Sequence, residues 1–321
     1  MRLYSYERDG SPVAGLRVGG EVILRDAWID DVSSAADDDL EAFLASCARG
    51  SVIERHPLGT VTPAAALPRP RKVICVGLNY ADHAAEGGRA TPDRPLLFAT
   101  FANAVIADGE AIVRPEGTHA LDLEVELGVV IGRRARRVDV AQAMAHVAGY
   151  VVLNDVSARD WQGIPAALHE GERGDGQWVR AKGSDTFLPM GPDFVTADEL
   201  DPRDGLRLRS WRITPDGTEH PMQDGTTTDM IWDVPALIAF ISRTVTLEPG
   251  DVIATGTPSG VGVFADPPVF LEPGGRVRCE IVATGSVGNP VVDWTDDPRD
   301  RQDHDAGDRR DDRATATGPS A

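Results

Sequence analysis

Leu121-Asp122-Leu123-Glu124-Val125-Glu126-Leu127-Gly128-Val129-Val130-Ile131 is the stretch that decides how the chain folds. With a strand period of two, Leu121, Leu123, Val125, Leu127, Val129 and Ile131 fall on one face, and Asp122, Glu124 and Glu126 on the other. The unbroken apolar face must pack against something. Same-face neighbours sit ~7 Å apart at ~3.3 Å per residue. Carboxylates so placed in a protected site repel each other unless a cation joins them. Taken alone, the pattern also fits an ordinary half-buried strand with a solvated acidic face.

Downstream, Gly149-Tyr150-Val151-Val152-Leu153 has the composition of a buried strand and ends in Asn154-Asp155. Glu124, Glu126 and Asp155 would make an all-oxygen ligand set. Such a set suits a hard cation, Mg²⁺ or Mn²⁺, and not structural zinc. Upstream, the strand-like run Val73–Leu78 leads into Asn79-Tyr80-Ala81-Asp82-His83-Ala84-Ala85-Glu86-Gly87-Gly88. His83 and Glu86 are three residues apart, adjacent on one helical face. Glu86 can orient the ring while the other ring nitrogen takes a proton from water. A surface His–Glu pair is the plainer alternative. The two glycines would end the helix and let it hinge.

The rest of the chain sets limits. At ~150 residues per domain, 321 residues make about two domains, or one large domain with an appendage. The charge is −19, from 32 basic and 51 acidic side chains. That disfavours nucleic acid and anionic membrane as partners, and it obliges any small anionic substrate to find a local cationic site. The basic run Gly132-Arg133-Arg134-Ala135-Arg136-Arg137 therefore reads as a solvated turn. Cys47, Cys75 and Cys279 lie far apart with no Cys-x-x-Cys, which points to a reducing, cytoplasmic setting. The N-terminus has no apolar signal segment, and no run approaches a membrane span.

Residues 1–66 read as a small N-terminal α/β domain, with a helix starting at Asp37-Asp38-Asp39-Leu40. Pro63 to Pro70, with three prolines, reads as a linker. Residues 67–295 form a β-rich body with strands near 121–131, 149–153, 206–213, 251–255 and 277–282, and helices at 140–147 and 234–243. No β-α-β alternation appears, so the class is α+β and not doubly wound. Residues 296–321 are dense in charge and poor in apolar side chains, the composition of a disordered acidic tail.

Five strings in collinear order resemble the fumarylacetoacetate hydrolase family. They are Val76 to Glu86, Leu121 to Leu127, Asn154-Asp155-Val156-Ser157-Ala158-Arg159-Asp160, Ala181-Lys182-Gly183-Ser184-Asp185-Thr186-Phe187, and Thr255-Gly256-Thr257-Pro258-Ser259-Gly260-Val261-Gly262. The resemblance implies a mixed β-roll with a cation at its mouth, usually in a homodimer. It implies Glu124, Glu126 and Asp155 as ligands of Mg²⁺ or Mn²⁺, and His83 and Glu86 as a water-activating dyad on a short lid. It implies Lys182 beside the reacting oxygens, and Gln162, Thr257 and Arg159 as substrate contacts, Arg159 equally as an ion pair holding the strand end. Many relatives carry Lys where Thr100 stands, and Gly-Pro where Ala107-Asp108 stands, both expected near the mouth. The activity implied is metal-dependent hydrolysis of a carbon–carbon bond in an acylpyruvate-type 2,4-dioxo acid, through an enolate stabilised by the metal and Lys182. The same site also suits an oxaloacetate-type decarboxylase or a keto–enol tautomerase or dienoate isomerase. A non-catalytic binding protein would not need these groups together.

Overall fold

In the computed structural model, which describes residues 1–300, the strand Val125–Ile131 is paired on both sides. Val147–Asn154 runs antiparallel along one edge and Val252–Ala254 along the other. All seven residues of Val125–Ile131 are buried, so the half-buried reading gives way to a strand covered on both faces. One face, with Leu121, Leu123, Val125, Leu127, Val129 and Ile131, packs into one apolar core. Val130, on the other face, joins a second core with Val151 and Leu153. The chain kinks at Leu123-Glu124, so the expected single strand is two: Leu121–Asp122 and Val125–Ile131.

The sheet has ten strands among the described residues. From one edge they are Val52–Pro57, Glu21–Arg25, Ser11–Val18, Arg2–Arg8, Asp193–Thr196, Val147–Asn154, Val125–Ile131, Val252–Ala254, Val73–Gly77 and Leu96–Thr100. Pairing is antiparallel except between Val252–Ala254 and Val73–Gly77. A five-stranded sheet runs Glu219–Thr226, Arg207–Ile213, Arg276–Ile281, Gly285–Asp293 and Ile112–Arg114. The architecture is a sheet-rich α+β roll. The N-terminal strands continue the large sheet through Arg2↔Val195 and Leu3↔Phe194, and Leu3 and Phe43 share a core with Cys75 and Val130.

Local chemistry moved several boundaries. Asp39 caps the helix Leu40–Cys47, accepting from Ala42 N at 2.9 Å. Asp37 and Asp38 instead end a preceding helix, Val32–Asp38. The expected helix at 140–147 is one turn, Val140–Ala143, followed by a 3₁₀ turn; Val147 already belongs to a strand. The helix Val234–Ser242 stands as read, capped by Asp233. Arg133 pairs with Glu41 and Arg134 with Glu248 at the exposed turn. No helix among the described residues is long and apolar enough to cross a membrane.

The proline-rich stretch is not a free linker. Ala64, Ala65, Ala66 and Leu67 are 0–4% exposed. Ala64 N donates to Ser5 O at 3.0 Å and Ala66 N to Gly191 O at 3.1 Å. Small side chains let the strap lie close, and the prolines remove donors that the strap could not satisfy. At the other end the body extends beyond 295: Asp297 is buried, and Arg299 reaches Asp185 at 3.1 Å. Residues 301–321, the rest of the expected tail, lie outside the described residues.

The strap gives a direct test of its packing. Leu67 is fully buried, so Leu67→Ala should lower unfolding free energy by ~2–5 kcal/mol, read from urea denaturation. A free linker would give a change near zero.

Candidate active site

The register of two neighbouring strands assembles the acids. Val125 faces Asn154 and Glu126 faces Leu153. Glu124 N donates to Asn154 Oδ1, and Asp155 N to Glu124 O, both at 2.9 Å. Glu124, Glu126 and Asp155 thereby offer carboxylate oxygens within 4.8 Å of one another. All are buried: Glu124 is 5% exposed, Glu126 2% and Asp155 0%. The solvated acidic face allowed by the sequence does not exist.

Two cations enter from the helices that follow. Arg159 opens the short helix Arg159–Gln162, and Lys182 ends Trp178–Lys182. Lys182 Nζ donates to Glu124 Oε2 at 2.6 Å and to Asp155 Oδ2 at 2.8 Å. Arg159 binds Asp122 at 2.9 Å and Glu124 at 2.7 Å. The ion pair that holds the strand end is therefore present. Arg159 Nη1 also donates to Gln162 Oε1 at 3.1 Å, whereas Nη2 is a buried donor with no protein acceptor. Both Arg159 and Gln162 line the cavity.

Burial opposes ionisation of every acid here, and the neighbours decide the outcome. For Glu124, Lys182 and then Arg159 outweigh burial and hold the carboxyl well below its usual range. For Glu126, burial is reinforced by Asp155 and Glu124, and the carboxyl is pushed well above it. Asp155 is raised by burial and Glu124 against the pull of Lys182. Four carboxylates, Asp122, Glu124, Glu126 and Asp155, face two cations, Arg159 and Lys182. One divalent ion would balance that excess. Asp155 Oδ1 is buried with no hydrogen-bond partner, as a ligand atom would be. The residues present thus fit a hard divalent cation held by Glu124, Glu126 and Asp155.

His83 sits on the short helix Ala81–Glu86, which ends at Gly87. It is 7% exposed, so the surface-pair reading fails. Its Nδ1 lies 2.7 Å from Glu86 Oε1. The second Glu86 oxygen accepts from Gly260 N at 2.9 Å, and Asp82 accepts from Ser259 Oγ at 2.6 Å. The helix is thus seated on the loop that follows Thr255. His83, Glu124, Glu126, Arg159, Gln162, Lys182 and Thr257 line one cavity of about 40 Å³, walled by Phe98, Trp178 and Phe264. Asp155 stands behind this lining, against Lys182. Thr257 donates to Val125 O at 2.9 Å and accepts from Gln223 Nε2 at 2.6 Å. A wider groove of about 530 Å³ lies elsewhere, between Leu44 and Met144, and holds none of these groups.

A family model described as fumarylacetoacetate (FAA) hydrolase C-terminal matches residues 72–292. The chain belongs to the fumarylacetoacetate hydrolase family. The human oxaloacetate tautomerase FAHD2A, mitochondrial, is 43% identical over 288 residues, 88% of each chain. The solved fumarylacetoacetate hydrolase of Exiguobacterium antarcticum superposes with a TM-score of 0.73 at 33% identity, over 91% of this chain and 99% of that one. The 2-hydroxyhepta-2,4-diene-1,7-dioate isomerase of Mycobacterium marinum gives 0.68 at 32% identity, over 92% and 99%.

Within the family frame, the structure adds residues that sequence reading left without a role. Asp122 accepts from Gly262 N, Val263 N and Arg159, tying the glycine loop to the acid strand. Gly262 N approaches so closely that a Cβ there would meet Val269 O at 2.0 Å. Gly256, at φ +93°, donates to Glu126 Oε2 at 2.8 Å; a Cβ there would meet Val76 O at 2.9 Å. Asn79 bridges Trp232 and Thr255, and Gln223 bridges Val125, Thr257 and Pro258. Asn79 lies in a quoted string and could have been flagged; Gln223 lies in none. Thr100 does not line the cavity. It donates to Lys182 O at 3.3 Å, and Asp108 accepts from Gly288 N.

Glu126 supplies a two-part prediction. Its native carboxyl holds a proton more tightly than in the unfolded chain, so metal-free stability should fall as pH rises above the usual carboxylate range. Glu126→Gln should reduce that slope, leaving the part that Asp155 contributes, and raise metal-free stability near neutral pH. It should also abolish the rise in melting temperature that Mg²⁺ gives the wild type. Melting curves across pH, with and without Mg²⁺, check both parts.

Proposed function

We propose that this chain is a keto–enol tautomerase of a short 2-oxo dicarboxylic acid, oxaloacetate or a close analogue, with Mg²⁺ or Mn²⁺ held by Glu124, Glu126 and Asp155. The observation that carries the proposal is an imidazole pinned by Glu86 at 2.7 Å in a small cavity beside two buried cations. Naming of the human relative as an oxaloacetate tautomerase supports the same reading.

Tautomerisation moves one proton from the carbon beside the carbonyl to the carbonyl oxygen. It needs a base that can also give the proton back. In this proposal Glu86 accepts the Nδ1–H of His83 and so fixes Nε2 as the acceptor. Nε2 takes the carbon-bound proton and, as an acid, delivers it to the enolate oxygen. Bound metal would supply Lewis-acid polarisation and a fixed pose for the 2-oxo acid end. Lys182, itself buried, steadies the negative charge that develops nearby. The unpaired Nη2 of Arg159 suits a substrate carboxylate. Gln162 beside it and Thr257, fixed by Gln223, complete the contacts.

Hydrolysis of a 2,4-dioxo acid by the same dyad is the second reading, favoured by similarity to a solved fumarylacetoacetate hydrolase. It asks the site to admit an attacking water besides the substrate. Proton transfer within a four-carbon diacid asks for less. A homodimer belongs to the proposal as well, and solution mass would test it. Cys47, Cys75 and Cys279 are buried free thiols, which suits a reducing compartment. The cytoplasm and the mitochondrial matrix both meet that condition.

His83→Ala should lower kcat for oxaloacetate tautomerisation by ~10²–10⁴-fold, the size of a missing general base. Glu86→Gln should lose less, because the ring remains. Loss of enol absorbance measures tautomerisation, and a lactate dehydrogenase couple measures pyruvate release. Faster pyruvate release from acetylpyruvate than enol loss from oxaloacetate would replace this reading with the hydrolase. Faster pyruvate release from oxaloacetate would replace it with the decarboxylase.

A further inference from the structure

A second group of ligand-type side chains lies outside the acid site. His119, His169 and Glu172 offer ring nitrogens and a carboxylate oxygen within 4.8 Å of one another. His119 lies two residues before the strand Leu121–Asp122. His169 and Glu172 lie on the loop that joins Arg159–Gln162 to Trp178–Lys182. The two imidazole rings stack at 4.0 Å with 23° between their planes. His119 Nε2 lies 3.8 Å from Glu172 Oε2. Glu172 Oε2 also accepts from His169 N at 2.8 Å, which folds the loop tip back on itself.

The other nitrogen of His119 has a built partner. Nδ1 lies 3.3 Å from Asp160 Oδ2, and Asp160 is 2% exposed. Thr118 Oγ1 at 2.7 Å, Trp161 N at 3.0 Å and His119 N at 3.2 Å hold that carboxylate still. A carboxylate behind an imidazole favours a proton on Nδ1 and so can free Nε2 to bind an ion. This is the arrangement that orients metal-bound histidines. As the ring stands, Nε2 donates to Ala167 O at 3.0 Å, on the same loop; coordination would replace that contact, move the ring proton to Nδ1 facing Asp160, and turn His169 out of the stack so that its in-plane lone pair meets the ion.

We infer that His119, His169 and Glu172 form a second metal site, selective for a borderline transition-metal ion such as Zn²⁺. Two imidazoles and one carboxylate, with a place left for water, suit such an ion, whereas the all-oxygen set at Glu124 suits a hard one. The consequence is mechanical. The ion ties the exposed loop to His119 and so fixes the connection between the helices that carry Arg159, Gln162 and Lys182.

The test uses the full chain with excess Mg²⁺, so that the oxygen site is filled. Zn²⁺ is titrated by calorimetry, and Co²⁺ serves as a spectroscopic stand-in. Expected is one Zn²⁺ equivalent that Mg²⁺ does not displace and a Co²⁺ visible absorption typical of nitrogen ligands. Both should be lost in His169→Ala and weakened in Glu172→Gln, exposed positions where folding is not at stake. Zn²⁺ should also slow tryptic cleavage after the exposed Arg173 in wild type and not in His169→Ala. No Mg²⁺-resistant Zn²⁺ binding, or the same binding in wild type and His169→Ala, overturns the inference.

Discussion

Lys182 sits almost without solvent between Glu124 and Asp155, and Arg159 sits equally buried between Glu124 and Asp122. Charges so deep are costly to desolvate, and only mutual pairing makes them tolerable. Removing any one partner leaves an uncompensated charge in the core. The cluster therefore constrains everything around it. The acid strand must begin where its antiparallel neighbour ends, and both short helices must deliver a cation. The glycine loop must come close enough for Gly256, Gly262 and Val263 to donate to Glu126 and Asp122.

The pairing is incomplete, and that incompleteness is the useful feature. Lys182 and Arg159 keep Glu124 ionised, while burial and like-charged neighbours push the carboxyls of Glu126 and Asp155 upward. A divalent ion resolves that imbalance more fully than any side chain present. With such an ion in place, the local charges would reconcile a chain of net charge −19 with the small anionic substrate proposed for it. The surface repels at long range, and the cavity presents a lysine and an arginine at short range.

Much of this was legible in the sequence. The alternation from Leu121 to Ile131 gave the apolar face its identity, because side-chain direction along a strand is a local property. The three-residue spacing of His83 and Glu86 foretold their contact for the same reason. Asp39 as a cap, the buried proline strap and the split strand were not legible. Capping depends on where a helix actually begins, and burial of Ala64 to Leu67 depends on what lies across from it. Gln223 carried no signal, since its partners Val125, Thr257 and Pro258 are remote in sequence.

The sequence by itself determined the sheet-rich class, the acid strand, the dyad and the ligand types on offer. These follow from residue chemistry and short-range periodicity. Only the tertiary structure decided that the acids are buried, that Arg159 binds two of them, and that Thr100 supports Lys182 without reaching the cavity. It alone brought His119 to His169 and Glu172. Burial and long-range pairing set the dielectric and the charge balance. Those quantities depend on atoms that chain distance does not order.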